Sequence, residues 1–222
     1  MAERLFVMTL QLPGPYKGLR IGLFGGTFNP AHSGHRHVAE LALSRLDLDW
    51  IWWIPAAGNP LKTSQSAFEA RFASAKRMAD HPRMRVTDLE RQLGTRYTYD
   101  TLNAFLPKVP GGQFVWLMGA DNLRYFHRWG HWGEMASLIH FAVIARPGDA
   151  RLARLSKFAR RYAQHRISPR AASSLLSRPL PAWTYLPTPL HTASSTDIRR
   201  RAQTRNPFIT LATSHDERET NA

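Results

Sequence analysis

Cysteine is absent from the 222 residues, which excludes disulfides and thiolate metal sites and fits a reducing compartment, with the cytoplasm as the default location. No apolar run approaches the roughly 18 residues that a membrane-spanning helix requires, so no membrane partner is expected. Acidic residues are scarce, 16 against 30 Lys and Arg, which leaves a formal net charge of +14. Several well-known catalytic loops are missing as well. There is no Gly-x-x-x-x-Gly-Lys-Ser/Thr phosphate loop, GLFGG lacks the Gly-x-Gly-x-x-Gly spacing of dinucleotide-binding turns, and no nucleophile elbow occurs. No nucleic-acid module is present either, so the positive field fits a nucleic acid or an anionic nucleotide equally well.

Much of the charge is local. Seven Lys or Arg and no acid fall between Arg151 and Arg170, and Arg199, Arg200 and Arg201 form a triplet. The run RLARLSKFARRYAQHR reads as a helix with a solvated basic face, turning Leu152, Leu155, Phe158, Ala159 and Tyr162 inward at helical spacing. Residues 1–19 read as an N-terminal extension. Their apolar patch, Leu5 to Leu12, is interrupted by Thr9 and Gln11 and has no small-residue cleavage site after it.

What organises the chain is IGLFGGTFNPAHSGH, residues 21–35. Ile21 to Gly25 reads as a buried strand, Gly25-Gly26 frees the backbone, and Asn29-Pro30 turns it toward a helix starting near His32 to Gly34. A glycine pair admits a ligand close to the backbone, and a helix N-terminus presents unpaired N–H groups at the positive end of the dipole. A phosphate is the natural guest. His32 and His35, three apart, fall on one side of the first turn and could donate to its oxygens. Zinc at this pair would need further ligands that the sequence does not identify.

Downstream, Val38, Ala39, Leu41, Ala42 and Leu46 form an apolar helical stripe that ends at Asp47-Leu48-Asp49, and Trp50 to Ile54 is a continuously apolar strand. Strand, helix and strand make a right-handed βαβ unit, so ligands belong at the carboxyl ends of the strands. The loop IPAAGNPLK, residues 54–62, then shares a crevice with the glycine turn, and Asn59 and Lys62 become candidate contacts. Phe68 to Ala79 is a helix with Phe68, Phe72, Ala75 and Ala79 on its inner stripe, and Met84 to Thr87 a third strand. YTYDTL, residues 97–102, opens another helix capped by Thr98, with Tyr97 either in the crevice or in the core.

Phe114 to Met118 is a buried strand leading into GADNL, read as a glycine turn that places Asp121 near the crevice. Its carboxylate could accept from ribose hydroxyls or support a metal's hydration shell. Trp129 and Trp132 fall on a loop and either stack on a planar ligand or pack beneath it. Phe141 to Ala145 is a fifth strand, and Trp183 to Leu186 a short strand inside the Pro-rich connector from Pro179 to Pro189. In SSTDIR, residues 194–199, Ser194, Ser195 and Thr196 cluster at a helix start with Arg199 one turn on, a second anion site. The expected fold is α/β, a doubly wound, Rossmann-like, mostly parallel sheet with helices on both faces. Its main domain covers residues 20–203, with a polar tail over 204–222.

GGTFNPAHSGH resembles the nucleotidyltransferase superfamily signature Gly-Gly-x-Phe-Asn/Asp-Pro-x-His-x-Gly-His across eleven residues. IPAAGNPLK, YTYDTL, GADNL with Phe126 and Trp129 beyond it, VIARPG and SSTDIR follow in the order seen in bacterial nicotinate-nucleotide adenylyltransferases, so the chain resembles that family from about residue 20 to 200. The resemblance implies that Gly25, Gly26, Thr27, Phe28, His32, His35, Ser195, Thr196 and Arg199 bind ATP, with Gly119 and Asp121 holding the nucleotide between the two halves. It implies that Asn59, Lys62, Tyr97, Thr98 and Trp129 take nicotinate mononucleotide, with Trp129 stacked on its ring, and that His32, His35, Lys62 and Arg199 carry catalysis with magnesium supplied alongside ATP. Nicotinamide mononucleotide and phosphopantetheine stay open as acceptors, and a basic nucleic-acid-binding protein as the rival from another class. One departure stands out: the helices that usually follow SSTxIR are replaced here by RRAQTRNPFITLATSHDERETNA.

Overall fold

The computed structural model describes residues 10–58, 66–145 and 155–188. Seven strands form one sheet in the order β3-β2-β1-β4-β5-β7-β6, and every neighbouring pair is parallel. They are β1 Arg20–Gly26, β2 Trp50–Pro55, β3 Met84–Val86, β4 Gln113–Gly119, β5 His140–Ile144, β6 Arg166–Ile167 and β7 Trp183–Leu186. The central strands are buried on both faces, which is why they read as unbroken apolar runs. Ile21, Leu23, Trp52, Ile54, Trp116, Phe141 and Trp183 pack on one side of the sheet, and Phe24, Ile51, Trp53, Val115, Leu117 and Ala142 on the other.

Among the described residues seven α-helices accompany the strands: α1 Ser33–Arg45, α2 Phe68–Met78, α3 Leu89–Leu93, α4 Thr98–Phe105, α5 Ala120–Tyr125, α6 Trp132–Leu138 and α7 Lys157–Arg161. Strand order runs outward in opposite directions from the β1/β4 pair, so the connections leave those two strands toward opposite sides. The crevice between their carboxyl ends is the expected ligand site of such a sheet.

Several sequence expectations need correction. GADNL forms no turn: Gly119 ends β4 in extended conformation and α5 begins at once. On α2, Ala75 and Ala79 are buried as expected, but Phe68 and Phe72 are only half-buried, and the inner face carries Arg71 and Ser74 as well, because these polar side chains find backbone partners there. Thr98 is the first helical residue of α4, while Tyr97 occupies the cap position with no side-chain cap bond. Trp129 follows a single 3-10 turn, and Trp132 begins α6 rather than lying on a loop.

The basic segment also differs from its expected form, and Leu152 and the residues before Leu155 lie outside those described. Among the described residues its helix runs over Lys157–Arg161 behind the N-cap Ser156, whose side chain accepts from the Ala159 N–H, so Leu155 sits ahead of that helix and is 54% exposed. Phe158, Ala159 and Tyr162 are buried as expected. Part of the charge is used internally, since Arg161 lies over the rings of Trp132 and Tyr162, and Arg166 over those of Trp183 and Tyr185. Residues 10–19 are docked on the domain: Gln11 and Gln92 exchange two hydrogen bonds, and Leu12, Tyr16 and Leu19 pack on the core. The helix α3, the strand β6 and a 3-10 segment over Pro169–Ser177 had no clear signal in the sequence. No helix among the described residues is long and apolar enough to cross a membrane.

Candidate active site

β1 ends against two neighbours, Gly25 beside Ile54 and Gly26 beside Pro55 of β2, with β4 on its other side. A Cβ on Gly25 would stand 2.3 Å from the buried indole ring of Trp116, so the close approach of β1 to β4 leaves no room for a side chain there. Beyond Gly26 the chain makes a tight loop over Thr27 to Ala31, in which Phe28 takes a positive φ of 46°, unusual for a bulky residue. The loop is anchored to α2 and the residues before it. Arg71 donates to the Thr27 carbonyl at 2.9 Å, the Ser66 hydroxyl donates to Asn29 at 2.7 Å, and the Ala31 N–H donates to the Ser74 hydroxyl at 3.0 Å.

The two histidines close the loop into α1 through a reciprocal cap. The Gly34 N–H donates to Nδ1 of His32 at 3.1 Å, and the His32 N–H donates to Nδ1 of His35 at 3.2 Å. The helix start therefore does not offer these two N–H groups to a ligand, as the sequence reading had it. The imidazoles consume them. An Nδ1 that accepts must leave the proton on Nε2 in the neutral ring, so the cap fixes a tautomer with an Nε2–H donor in both residues. The rings lie 3.9 Å apart, and His35 is packed edge-on against Phe28 at 5.0 Å. Phe28 itself is buried beside Phe24 and Trp53, behind His35.

A cavity of about 260 Å³ opens beside this turn. Gly25, Gly26, Thr27, Tyr97, Thr98 and Trp129, all candidates from sequence, line it. Tyr97 is 52% exposed at its rim, which disposes of the core alternative, and Trp129 is half-buried with its ring 5.2 Å from Phe126. Gly119 and Asp121 lie at the end of β4 and the start of α5, and it is Asn122 of that helix that reaches the cavity wall. Asn59, Lys62, Ser195, Thr196 and Arg199 lie outside the described residues. Arg96 and Arg128, unforeseen in the sequence, bring positive charge to the lining.

The sequence reading also missed Glu90. It is 5% exposed on α3, lines the cavity, and accepts the Ala57 N–H at 2.8 Å. Burial pushes its carboxyl up to about 7, against the opposing pull of the Ala57 N–H and the Arg71 guanidinium. Folding thus favours the protonated acid. The stability this group contributes is complete below its unfolded value near 4.5 and is lost as pH climbs through about 7. Denaturant unfolding should find Glu90→Gln close to the parent at pH 5 but more stable at pH 8, by up to about 3 kcal/mol. A stability difference between parent and variant that stays constant from pH 5 to 8 would contradict this assignment.

Among the described residues, no three His, Cys, Asp or Glu side chains gather to hold a metal. The cytidylyltransferase-like family model matches residues 23–201. A protein of Ruegeria sp. (strain TM1040) is 48% identical over 185 residues, covering 82% of this chain and 97% of its own length. One from Caulobacter sp. (strain K31) is also 48% identical over 185 residues, covering 82% and 98%. Both carry the name "Probable nicotinate-nucleotide adenylyltransferase". Among solved structures, Plasmodium falciparum nicotinic acid mononucleotide adenylyltransferase complexed with NaAD superposes with a TM-score of 0.62, covering 82% of this chain and 83% of that one. At 19% identity that likeness is one of fold.

Proposed function

We propose that this chain, which belongs to the nicotinate-nucleotide adenylyltransferase family of cytidylyltransferase-like proteins, transfers AMP from ATP to nicotinate mononucleotide. The products are nicotinate adenine dinucleotide and pyrophosphate, a step of NAD biosynthesis. A phosphate oxygen of the mononucleotide attacks the α-phosphorus of ATP, and the bond from that phosphorus to the bridging oxygen of pyrophosphate breaks. The nucleophile is already an anion, so no general base is needed. Catalysis consists of holding two phosphates in line and stabilising the charge spread over the transferring and leaving groups.

The reciprocal histidine cap beside the glycine turn carries this reading. It leaves each ring its Nε2–H at the positive end of a 13-residue helix, with His32 buried and His35 half-buried beside the cavity lining rather than on it, and a helix N-terminus is where phosphate oxygens are best stabilised. Gly25 and Gly26 let the nucleotide approach the β1 backbone, and on the same cavity Tyr97 and Trp129 offer flat aromatic surface for the nicotinate ring while Thr98 adds a polar hydroxyl. Magnesium accompanying ATP would offset phosphate charge, and Asp121, at the start of α5 beside the cavity, would be the carboxylate suited to its water shell. Lys62, Ser195, Thr196 and Arg199 complete the phosphate sites in this reading, within one domain over residues 20–203. A cytoplasmic place of action belongs to it as well, since nothing in a cysteine-free chain calls for an oxidising compartment.

The test is product identity. Purified protein with ATP, magnesium and nicotinate mononucleotide should form nicotinate adenine dinucleotide and pyrophosphate in equal amounts by chromatography. Release of ADP or phosphate instead would overturn the reading.

A further inference from the structure

Two opposite charges lie beneath the crevice, away from the histidine cap. Arg71 of α2 is 3% exposed and Glu90 of α3 is 5% exposed, and each acts electrostatically on the other. Each also binds the backbone of a different crevice loop. Arg71 holds the Thr27 carbonyl on the loop leaving β1 at 2.9 Å, and the Ser66 carbonyl ahead of α2 at 3.1 Å. Glu90 holds the Ala57 N–H on the loop leaving β2 at 2.8 Å. Two buried opposite charges are a weak source of stability because both lose hydration. What each provides is geometry, a fixed place for the loop backbone it binds.

We propose that Arg71 and Glu90 are positioning residues that bracket the β1 and β2 loops and so set how tightly the crevice holds its two phosphate-bearing substrates. The proposal rests on the adenylyltransferase reading for the identity of those substrates. Glu90 is also part of the cavity wall, so its charge acts on anionic ligands as well as on the bracket. The charged groups around it are Arg71 from α2, and Arg96 and Arg128 elsewhere on the cavity lining; Glu69, paired with Arg91 at 3.0 Å, acts in turn on Arg71. Ionisation of Glu90 therefore strengthens the bracket but sets a negative charge against the mononucleotide.

The test uses the full chain with Arg71→Met, Arg71→Lys, Glu90→Gln and Glu90→Ala. Pyrophosphate release gives kcat and both KM values from pH 6 to 8.5, calorimetry gives the ATP Kd, and thermal unfolding reports the fold. Arg71→Met should raise both KM values and lower kcat/KM by about 10²-fold, the scale of an ångström-level misplacement, and Arg71→Lys should recover part of the loss. Glu90→Ala should lose about 10-fold. Glu90→Gln keeps an acceptor for Ala57 but takes no charge, so it should lose the parent's rise in mononucleotide KM across pH 7.

A merely structural role would lower the unfolding temperature and leave KM unchanged in the folded variants. Parent-like KM values in folded Arg71→Met and Glu90→Ala would overturn the proposal; if Arg71→Met does not fold, Arg71→Lys and Glu90→Ala decide in the same way. A parent protein that releases no pyrophosphate would instead sink the adenylyltransferase reading. In that case the ATP Kd decides the bracket, and a parent-like value in both variants overturns it.

Discussion

Replacing His35 with alanine should lower kcat by about 10²-fold or more, with a circular dichroism spectrum that matches the parent. Removing one positioned donor from a site where charge develops has that scale of effect. The structural reason lies in the division of labour within the ring. Nδ1 of His35 accepts the His32 N–H at 3.2 Å, which leaves Nε2–H as a donor fixed in direction, and the ring is braced by Phe28 and stacked near His32. His32→Ala should show a similar loss of turnover together with about 1 kcal/mol of lost stability, because His32 is the N-cap of α1 and its Nδ1 takes the Gly34 N–H. Measuring both variants separates the contributions: a shared kinetic defect with unequal unfolding free energies is the expected pattern. Parent-like turnover in a folded His35→Ala protein would remove the histidines from the chemistry.

Phe126→Ala should cost about 3–5 kcal/mol, the usual scale for emptying a buried aromatic site. Phe126 is fully buried and sits within 5.2 to 5.4 Å, centroid to centroid, of Trp129, Phe141 and Phe158. No single neighbour can fill the space it leaves, since Phe141 belongs to the central sheet and Phe158 is itself wedged against Trp183 and Tyr162. For a chain of this length the unfolding midpoint should fall by roughly 10 °C. Phe126 also supports Trp129 from behind the cavity wall, so the KM for the mononucleotide should rise while that for ATP changes little. A loss below about 1 kcal/mol would mean that the cluster repacks, contrary to this account.

The parts of the fold that could be read from sequence are those in which local pattern and tertiary role coincide. Ile21 to Gly25 and Trp50 to Ile54 are apolar throughout because both faces of the sheet are covered, and the turn between β1 and α1 is spelled by Gly-Gly and Asn-Pro. Arg71 could not be found that way. Helical spacing assigns the inner face of α2 to Phe68 and Phe72, and only acceptors brought in from Thr27 and Ser66 make a buried guanidinium tolerable there. Glu90 lies on a five-residue helix, too short for periodicity to register, and its partner Ala57 is 33 residues away. Gly119 misled in the opposite direction: a glycine at a strand end suggests a turn, yet here it passes directly into α5. Leu155 is not a core residue because Ser156, the next residue, is an N-cap, which leaves Leu155 ahead of the helix Lys157–Arg161.

At the candidate site, the sequence singles out residues with a distinctive local signature and passes over those brought to the cavity by long-range packing. His32 and His35 stood out by spacing, but their tautomer came only from the cap geometry. Arg96 and Arg128 adjoin Tyr97 and Trp129 in the chain and were passed over because single arginines in a chain with 30 basic residues carry no pattern of their own.

Pyrophosphate release from ATP and magnesium, measured side by side with nicotinate mononucleotide and nicotinamide mononucleotide, tests the central claim most directly. The account predicts release with the acid at an efficiency at least about tenfold above the amide, or ~1.4 kcal/mol in the transition state. Release with neither acceptor, from a folded protein that binds ATP, would contradict it.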